Sequence, residues 1–259
     1  MSLRRVSVSF DAMRSFVLHD VSLTMTRGER WVVLGANGSG KTTLVQLVTG
    51  YLHPSRGDLV LLGARLGSGV DWRKLRERVS VVSAAFAKMV RPDLPAVDIV
   101  MTAKNAALEP WWHSYDDADR DRARGLLAAA GFGHLADRPF GTLSEGERQQ
   151  VQLARTLMRP PEMIVLDEPA AGLDLGARER LMARMAQIAG DPALPGALLV
   201  THHLEEIPPG FTHALLLRSG RAVASGPIVD TVTSENVSIA FDLSVSVSYE
   251  SGRFAASFR

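Results

Sequence analysis

Three groups of residues in this chain have types and spacings that suit phosphate chemistry. The first, Gly35-Ala36-Asn37-Gly38-Ser39-Gly40-Lys41-Thr42-Thr43, fits the pattern G-x-x-x-x-G-K-[ST]. Glycines in such a loop let successive backbone N–H groups face a phosphate that a Cβ would obstruct. Lys41 can then place its charge on the β and γ phosphates, and the Thr42 hydroxyl can ligate Mg²⁺. A glycine-rich turn that binds nothing is the alternative, which the Lys-Thr pair in register disfavours. The predicted phosphate-binding residues are Gly35, Asn37, Gly38, Ser39, Gly40, Lys41, Thr42 and Thr43.

The second group is an apolar run that ends in two carboxylates, Asp167 and Glu168. Asp167 can hold the hydration shell of Mg²⁺, and Glu168 can orient or deprotonate an attacking water. An acidic strand end that is merely solvated is the alternative interpretation. Its pairing with the glycine loop in one chain favours the metal and water roles.

The third group is Leu143-Ser144-Glu145-Gly146-Glu147-Arg148-Gln149, at the start of a predicted helix. It resembles the LSGGQ signature of the ABC ATPases, although Glu145 and Glu147 depart from the commonest residues. Ser144 with Glu147 also forms a Ser-x-x-Glu capping box, so a structural role is compatible. In the family this signature serves the γ-phosphate of an ATP held by the other subunit. The resemblance therefore implies a homodimer in which Ser144 and Gly146 close the partner's site.

Further positions match the family in chain order. Asp174, in Ala171-Gly172-Leu173-Asp174, resembles the loop that crosses the dimer interface. His202 resembles the switch histidine that contacts the γ-phosphate, and Phe10 takes the place of the aromatic that stacks on adenine, with core packing as the alternative. The resemblance implies Mg²⁺-dependent hydrolysis of ATP to ADP and phosphate. It makes Glu168, His202 and Lys41 catalytic, with Thr42 and Asp167 as the metal residues.

One position departs from the family. A glutamine that touches Mg²⁺ and the attacking water normally ends the strand after the glycine loop, but Ala84 stands there. Alanine has no acceptor for a metal or a water, so hydrolysis is expected to be slower. The runs 28–31 and 202–213 resemble ATP-binding proteins of iron-complex and molybdenum importers, a subgroup that often lacks this glutamine.

The elements that must position these residues alternate along the chain. Apolar runs at 31–34, 163–166 and 197–200 predict buried parallel strands. Helical patterns lie between them, at 41–48, 96–108, 116–130, 144–158 and 177–189. Such alternation is typical of an α/β fold, here a P-loop NTPase core with a parallel sheet. Alternating residues in 3–25 and 57–62 predict a small antiparallel β subdomain beside it.

A single nucleotide-binding domain is expected over 1–259. Its predicted parts are an α/β core with the β layer (1–89 and 159–225), an inserted α-helical subdomain (90–158) and a C-terminal extension (226–259). The extension is expected to hold a helix near 231–241 and a hairpin around Ser251-Gly252. Trp111 and Trp112, in the helical block, are assigned to core packing in preference to partner docking.

Composition limits the function classes further. The chain has 259 residues, 29 Lys+Arg against 28 Asp+Glu, and no cysteine, which excludes disulfides, thiol catalysis and Cys-ligated zinc. The balanced charge disfavours nucleic acid or a ribosome as the partner. No apolar run approaches the ~18 residues that span a bilayer.

We therefore expect the ATP-binding and ATP-hydrolysing subunit of an ABC transporter that imports a metal complex or oxyanion. It would be cytoplasmic, peripheral at the inner membrane face, with separate transmembrane permease subunits. The alternative is a soluble ABC ATPase that acts as a mechanical or regulatory switch.

Overall fold

The computed structural model describes residues 1–11, 13–65, 69–83, 89–191 and 196–258. The strands are β1 (Ser2–Val8), β2 (Leu18–Thr24), β3 (Arg30–Leu34), β4 (Arg56–Leu61), β5 (Ala64–Arg65), β6 (Val79–Ser83), β7 (Met163–Asp167), β8 (Gly196–Thr201), β9 (His213–Arg218), β10 (Arg221–Pro227), β11 (Val245–Glu250) and β12 (Arg253–Phe258). The helices are α1 (Lys41–Val48), α2 (Trp72–Arg76), α3 (Ala96–Thr102), α4 (Asp117–Ala129), α5 (Glu145–Thr156), α6 (Leu175–Gly190), α7 (Ile228–Thr231) and α8 (Ser234–Phe241).

The central sheet has six strands in the order β10-β9-β3-β8-β7-β6. The five strands from β9 to β6 are parallel, and β10 alone runs antiparallel at one edge. Every residue of β3 and β8 is buried, as expected for strands that are covered on both faces. The α/β prediction is confirmed. Because the parallel strands share one direction, the segments that follow β3, β6, β7 and β8 all leave the same edge of the sheet.

A second, antiparallel sheet in the order β2-β1-β4-β5 covers one face of the central sheet together with α1. Its apolar residues form one buried cluster with Leu44 of α1 and with Val33 and Val165 of the central strands. The opposite face packs against α6 and the C-terminal helices. The predicted antiparallel subdomain is confirmed. The helix that carries Lys41 is thereby held between two sheets.

Residues 90–158 have a hydrophobic cluster of their own, built mainly by α3, α4 and α5. The helix predicted over 96–108 is too long, since α3 ends at Thr102. A 3-10 turn follows, and Ala106 has a left-handed φ of 51°, which an α-helix cannot continue through. Within the described residues, no helix is both long and apolar enough to cross a bilayer.

The assignment of the tryptophan pair to the core is wrong. Trp111 is 56% exposed and Trp112 is 81% exposed, on the surface of the helical region. The guanidinium of Arg91 lies 4.8 Å from the centre of the Trp111 ring, so this ring contacts a cation instead of packing inside.

The C-terminal extension packs onto the core as a helical pair and a hairpin. Arg253 of β12 forms an ion pair with Glu179 of α6, with Nη2 3.0 Å from Oε1. The predicted hairpin turns at Ser251-Gly252, and the helix predicted near 231–241 is α8, which the single turn α7 precedes. Thr233 caps α8 by accepting a hydrogen bond from the Asn236 amide.

The turn between β9 and β10 braces the glycine loop from outside. Gly220 donates its N–H to Ser39 O at 3.0 Å, and its own carbonyl accepts from the His19 amide at 2.8 Å. A Cβ at Gly220 would lie 2.1 Å from Val17 O, and the residue has a φ of 75°. Gly63 has a similar φ of 83°, but no atom of the described part of the chain lies within 4 Å of an added Cβ. The two glycines therefore separate backbone strain from steric clash.

We expect Gly220→Ala to lower the free energy of unfolding by at least about 3 kcal/mol, because strain and clash combine. Gly63→Ala, the matched control, should cost only about 1 kcal/mol, since it meets the strain alone. Urea unfolding of the two variants measures the difference. Equal losses of unfolding free energy in the two variants would contradict the close packing of Gly220 against Val17.

Candidate functional site

Six of the eight residues predicted to bind phosphate line one cavity of about 400 Å³ at the carboxyl edge of the central sheet, whereas Gly35 and Ser39 do not. Asp167 and Glu168 line it as well, at the end of β7. The fold thus brings together two motifs that lie more than a hundred positions apart in the sequence. The lining residues are Val17, Asn37, Gly38, Gly40, Lys41, Thr42, Thr43, Ser83, Asp167, Glu168 and Ala171.

The loop between β3 and α1 has the geometry of an anion cradle. Gly38 and Gly40 have φ values of 80° and 101°, which disfavour any side chain. A Cβ at Gly35 would lie 2.4 Å from Leu217 O. None of the described side chains caps α1, so the N–H groups of its first turn are available to an anion. The buried Ser39 hydroxyl also has no partner among the described residues. These features fit the phosphates of a nucleotide.

Lys41 is buried in this loop, with only 5% of its surface exposed. Its Nζ donates to Gly35 O at 2.8 Å and to Ala36 O at 3.1 Å. Glu168 Oε1 lies 3.7 Å from the same nitrogen. Burial lowers the pKa of Lys41, and the nearby charges of Glu168 and Asp167 oppose that shift.

Glu168 lies between two groups that could bind a phosphate. Its amide donates to Val200 O at 2.8 Å, which joins the segment after β7 to β8. Its carboxylate oxygen Oε1 is 3.1 Å from His202 Nδ1 as well as close to Lys41. The residue has a left-handed φ of 46°, a conformation uncommon for residues other than glycine. The ammonium and the imidazole are thus held together by a carboxylate.

Asp167 lines the same cavity as Thr42. Burial raises the pKa of this carboxyl to about 6, the Glu168 charge adds to the rise, and Lys41 opposes it. A bound cation would stabilise the charged form of this poorly solvated carboxylate. The Thr42 hydroxyl and the Asp167 carboxylate are both oxygen donors, the class that Mg²⁺ prefers. The pair fits the predicted metal residues.

Ser83 is a cavity residue that the sequence analysis missed. It is buried, ends β6 and lies in register with Asp167 on the neighbouring strand. Residues in register on parallel strands point to the same face, so its hydroxyl faces the same side as the Asp167 carboxylate. The available signal was its place directly before Ala84, at the end of the strand that follows the glycine loop. Ala84, the position noted for its missing glutamine, lies outside the described residues.

The signature residues line a separate cavity of about 250 Å³, together with Asp174. The predicted capping box is confirmed, since Ser144 N donates to Glu147 Oε2 at 2.7 Å and Ser144 Oγ accepts from the Glu147 amide. Asp174 caps α6 by accepting from the Ala177 amide at 2.7 Å. A Cβ at Gly146 would lie 2.9 Å from that of Ala177. Within one chain, Ser144 and Gly146 therefore do not join the phosphate cavity.

Phe10 is on the surface, with 64% of its area exposed. The core-packing alternative for this ring is therefore wrong. Phe10 does not line the phosphate cavity itself, whose apolar lining residues include Val17 and Ala171. Its stacking on adenine stays a prediction.

Known proteins resemble this chain in sequence and in fold. A sequence model of the family described as "ABC transporter" matches residues 18–171. An uncharacterized ABC transporter ATP-binding protein of Bacillus subtilis is 36% identical, over 98% of this chain and 96% of its own. A hemin import ATP-binding protein of Gloeobacter violaceus is 34% identical, over 88% of this chain and 82% of its own. The structure of cbiO1 from Clostridium perfringens, part of the ABC transporter complex cbiONQ, superposes with a TM-score of 0.77 at 25% identity, covering 91% of each chain.

The raised pKa of Asp167 predicts a stability cost. Its pKa rises from 3.8 to about 6 on folding, so the folded chain loses stability as the pH rises between these values. In the absence of Mg²⁺ and nucleotide, Asp167→Asn should therefore stabilise the protein by about 2 kcal/mol above pH 6, and by nothing below pH 4.

Thermal unfolding in chelator at several pH values checks this expectation. Asp121→Asn, which changes an exposed carboxyl on α4, is the control and should leave the midpoint unchanged. A midpoint for Asp167→Asn at or below the wild-type value at pH 8 would contradict it.

Proposed function

This chain belongs to the ABC transporter family of ATP-binding cassettes, and on that basis we propose that it drives import of a metal complex or oxyanion as a nucleotide-bridged homodimer. As an ABC ATPase it binds ATP with Mg²⁺ and hydrolyses it. Cassettes of this family dimerise and pair with permease subunits.

The observation that carries the dimer is the division of the predicted site between two cavities. The phosphate cavity holds Lys41, Thr42 and Asp167, and the other holds Ser144 and Gly146. A second copy turned to face the first would bring its signature cavity onto the phosphate cavity. Such an isologous arrangement completes two sites at once, because each chain supplies to its partner what it lacks.

In the phosphate cavity, Lys41 and the loop amides would neutralise the phosphate charge, and Thr42 and Asp167 would hold Mg²⁺. The bound metal supplies charge to the oxygens of the transferred phosphoryl group. Glu168 would leave Lys41 and His202 to orient the attacking water and accept its proton at a carboxylate oxygen. His202 would then donate to the γ-phosphate, and electrostatic stabilisation would provide most of the rate enhancement.

The cargo class rests on two similarities. The relative from Gloeobacter violaceus is named for hemin import, a metal complex. The runs 28–31 and 202–213 resemble ATP-binding proteins of iron-complex and molybdenum importers. The chain itself would be cytoplasmic, bound to permease subunits at the inner face of the membrane.

One observation favours a second candidate, a soluble ABC ATPase that acts as a nucleotide-driven switch. Ala84 stands where the family usually has a glutamine that reports the state of the nucleotide to the membrane partner. Without it, that report needs another route. Association with a permease separates the two candidates.

The catalytic assignment predicts that Glu168→Gln binds ATP, loses at least about 100-fold in turnover and accumulates as a dimer, because the amide cannot accept the proton of water. Size-exclusion chromatography with and without Mg²⁺ and ATP measures the dimer. The double variant Lys41→Ala/Glu168→Gln should remain monomeric, since phosphate binding is lost. Wild-type turnover in Glu168→Gln would exclude Glu168 as the catalytic carboxylate.

The transport assignment predicts that the tagged chain, expressed in its own host, sediments with membranes. After detergent extraction it should co-purify with a protein that has several membrane spans. Its release by 1 M salt alone, without such a partner, would contradict the assignment and favour the soluble switch, since surface electrostatic contacts are screened at that ionic strength.

A further inference from the structure

Hydrogen bonds join Thr201, at the end of β8, with His203 and Glu206 in the segment that follows. None of the three sequence groups that suit phosphate chemistry includes Glu206. The Thr201 hydroxyl donates to the Glu206 carboxylate and accepts from the His203 amide at 3.1 Å. The Glu206 amide in turn donates to the His203 carbonyl at 3.3 Å. Thr201 is fully buried and Glu206 is 4% exposed.

The buried carboxylate of Glu206 lowers the stability of the fold. Leu204 and Ile207, on either side of it, belong to the hydrophobic core that covers the central sheet. A buried polar group costs stability unless it is hydrogen-bonded, and an apolar residue of similar size would avoid that cost. Glu205, the preceding residue, points elsewhere, because its Oε1 accepts from the Ala256 amide at 3.5 Å in β12. The two adjacent carboxylates therefore have separate partners.

The hydrogen bonds of Thr201 flank the histidine of the site. His202 lies between Thr201 and His203 in the sequence. The Thr201 hydroxyl accepts a hydrogen bond from the His203 amide and donates one to Glu206, so the backbone on both sides of His202 is held. The imidazole of His202 reaches 3.1 Å from Glu168 Oε1 at the edge of the phosphate cavity. Fixing the backbone on both sides of His202 limits the directions in which its ring can point.

We propose that Glu206 is a positioning residue, which acts through the Thr201 hydroxyl to hold the His202 backbone so that the imidazole faces the γ-phosphate. The inference rests on the proposed function, which gives His202 its contact with that phosphate. ADP has no γ-phosphate, so a misplaced His202 weakens the binding of ATP and leaves that of ADP alone. A purely structural role for Glu206 would affect both nucleotides equally.

Glu206→Ala should weaken the affinity for a non-hydrolysable ATP analogue by about tenfold, since small misplacements of a catalytic group are costly. Its affinity for ADP should stay within about twofold of wild type, and KM for ATP should rise, since the lost γ-phosphate contact is made in the bound substrate as well as in the transition state. Glu206→Gln keeps an acceptor oxygen for Thr201 and should recover most of the loss. Fluorescence titration with each nucleotide measures both affinities.

Three variants test the route through Thr201. Thr201→Val has nearly the same shape without the hydroxyl and should match Glu206→Ala, whereas Thr201→Ser keeps the hydroxyl and should resemble wild type. The double variant Thr201→Val/Glu206→Ala should be no worse than either single variant, because both break one connection. Glu205→Ala is the matched control and should leave both affinities unchanged.

His202→Ala sets the reference for every outcome. If it weakens the analogue but Glu206→Ala and Thr201→Val behave as wild type, the proposal is overturned. Equal losses for ADP and the analogue in Glu206→Ala would also overturn it. If His202→Ala changes neither affinity, the proposed γ-phosphate contact of His202 is what fails. If Glu206→Ala does not fold, the comparison of Thr201→Val with Thr201→Ser decides alone.

Discussion

A buried ammonium group, Nζ of Lys41, is the feature on which the functional end of this molecule depends. The nitrogen is held by the carbonyls of Gly35 and Ala36 and lies close to the Glu168 carboxylate. Its charge stays inside the protein because these oxygens replace water around it. The glycine loop can take this shape only where a Cβ is absent, and the turn at Gly220 supports it from outside. The shape of the phosphate-binding loop thus depends on the positions of β3, α1 and the β9–β10 turn.

The same pocket carries an internal conflict between stability and function. Asp167 is held where burial and a neighbouring carboxylate disfavour its charge, and Glu168 has an uncommon backbone conformation beside it. Such costs are typical of sites whose groups are arranged for a bound ligand. In this structure Glu168 lies between Lys41 and His202, near the position that the proposed function gives to a phosphate. A phosphate bound there would therefore displace the Glu168 carboxylate from Lys41 and His202.

The second cavity gives the family resemblance a physical meaning. Ser144 and Asp174 serve their own chain as helix caps, so their presence alone does not demonstrate a nucleotide role. Gly146, which lines the same cavity, has no room for a side chain beside Ala177. The same residues can stabilise two helix N-termini and present those N-termini to a partner's phosphate, because a capped helix end still favours an anion.

The sequence determined the parts whose chemistry is local. The glycine loop, the acidic pair, the capping box and the order of strands and helices follow from neighbouring residues, since loop conformation, capping and hydrophobic periodicity act over a few positions. Tertiary structure decided which distant groups meet: Ser83 beside Asp167, and Glu168 between Lys41 and His202. It also decided that Trp112 is exposed, that α3 stops at Thr102, and that Glu206 turns inward to Thr201 while Glu205 does not. These outcomes depend on strand register and on the packing around each side chain, which a pattern of residue types does not contain.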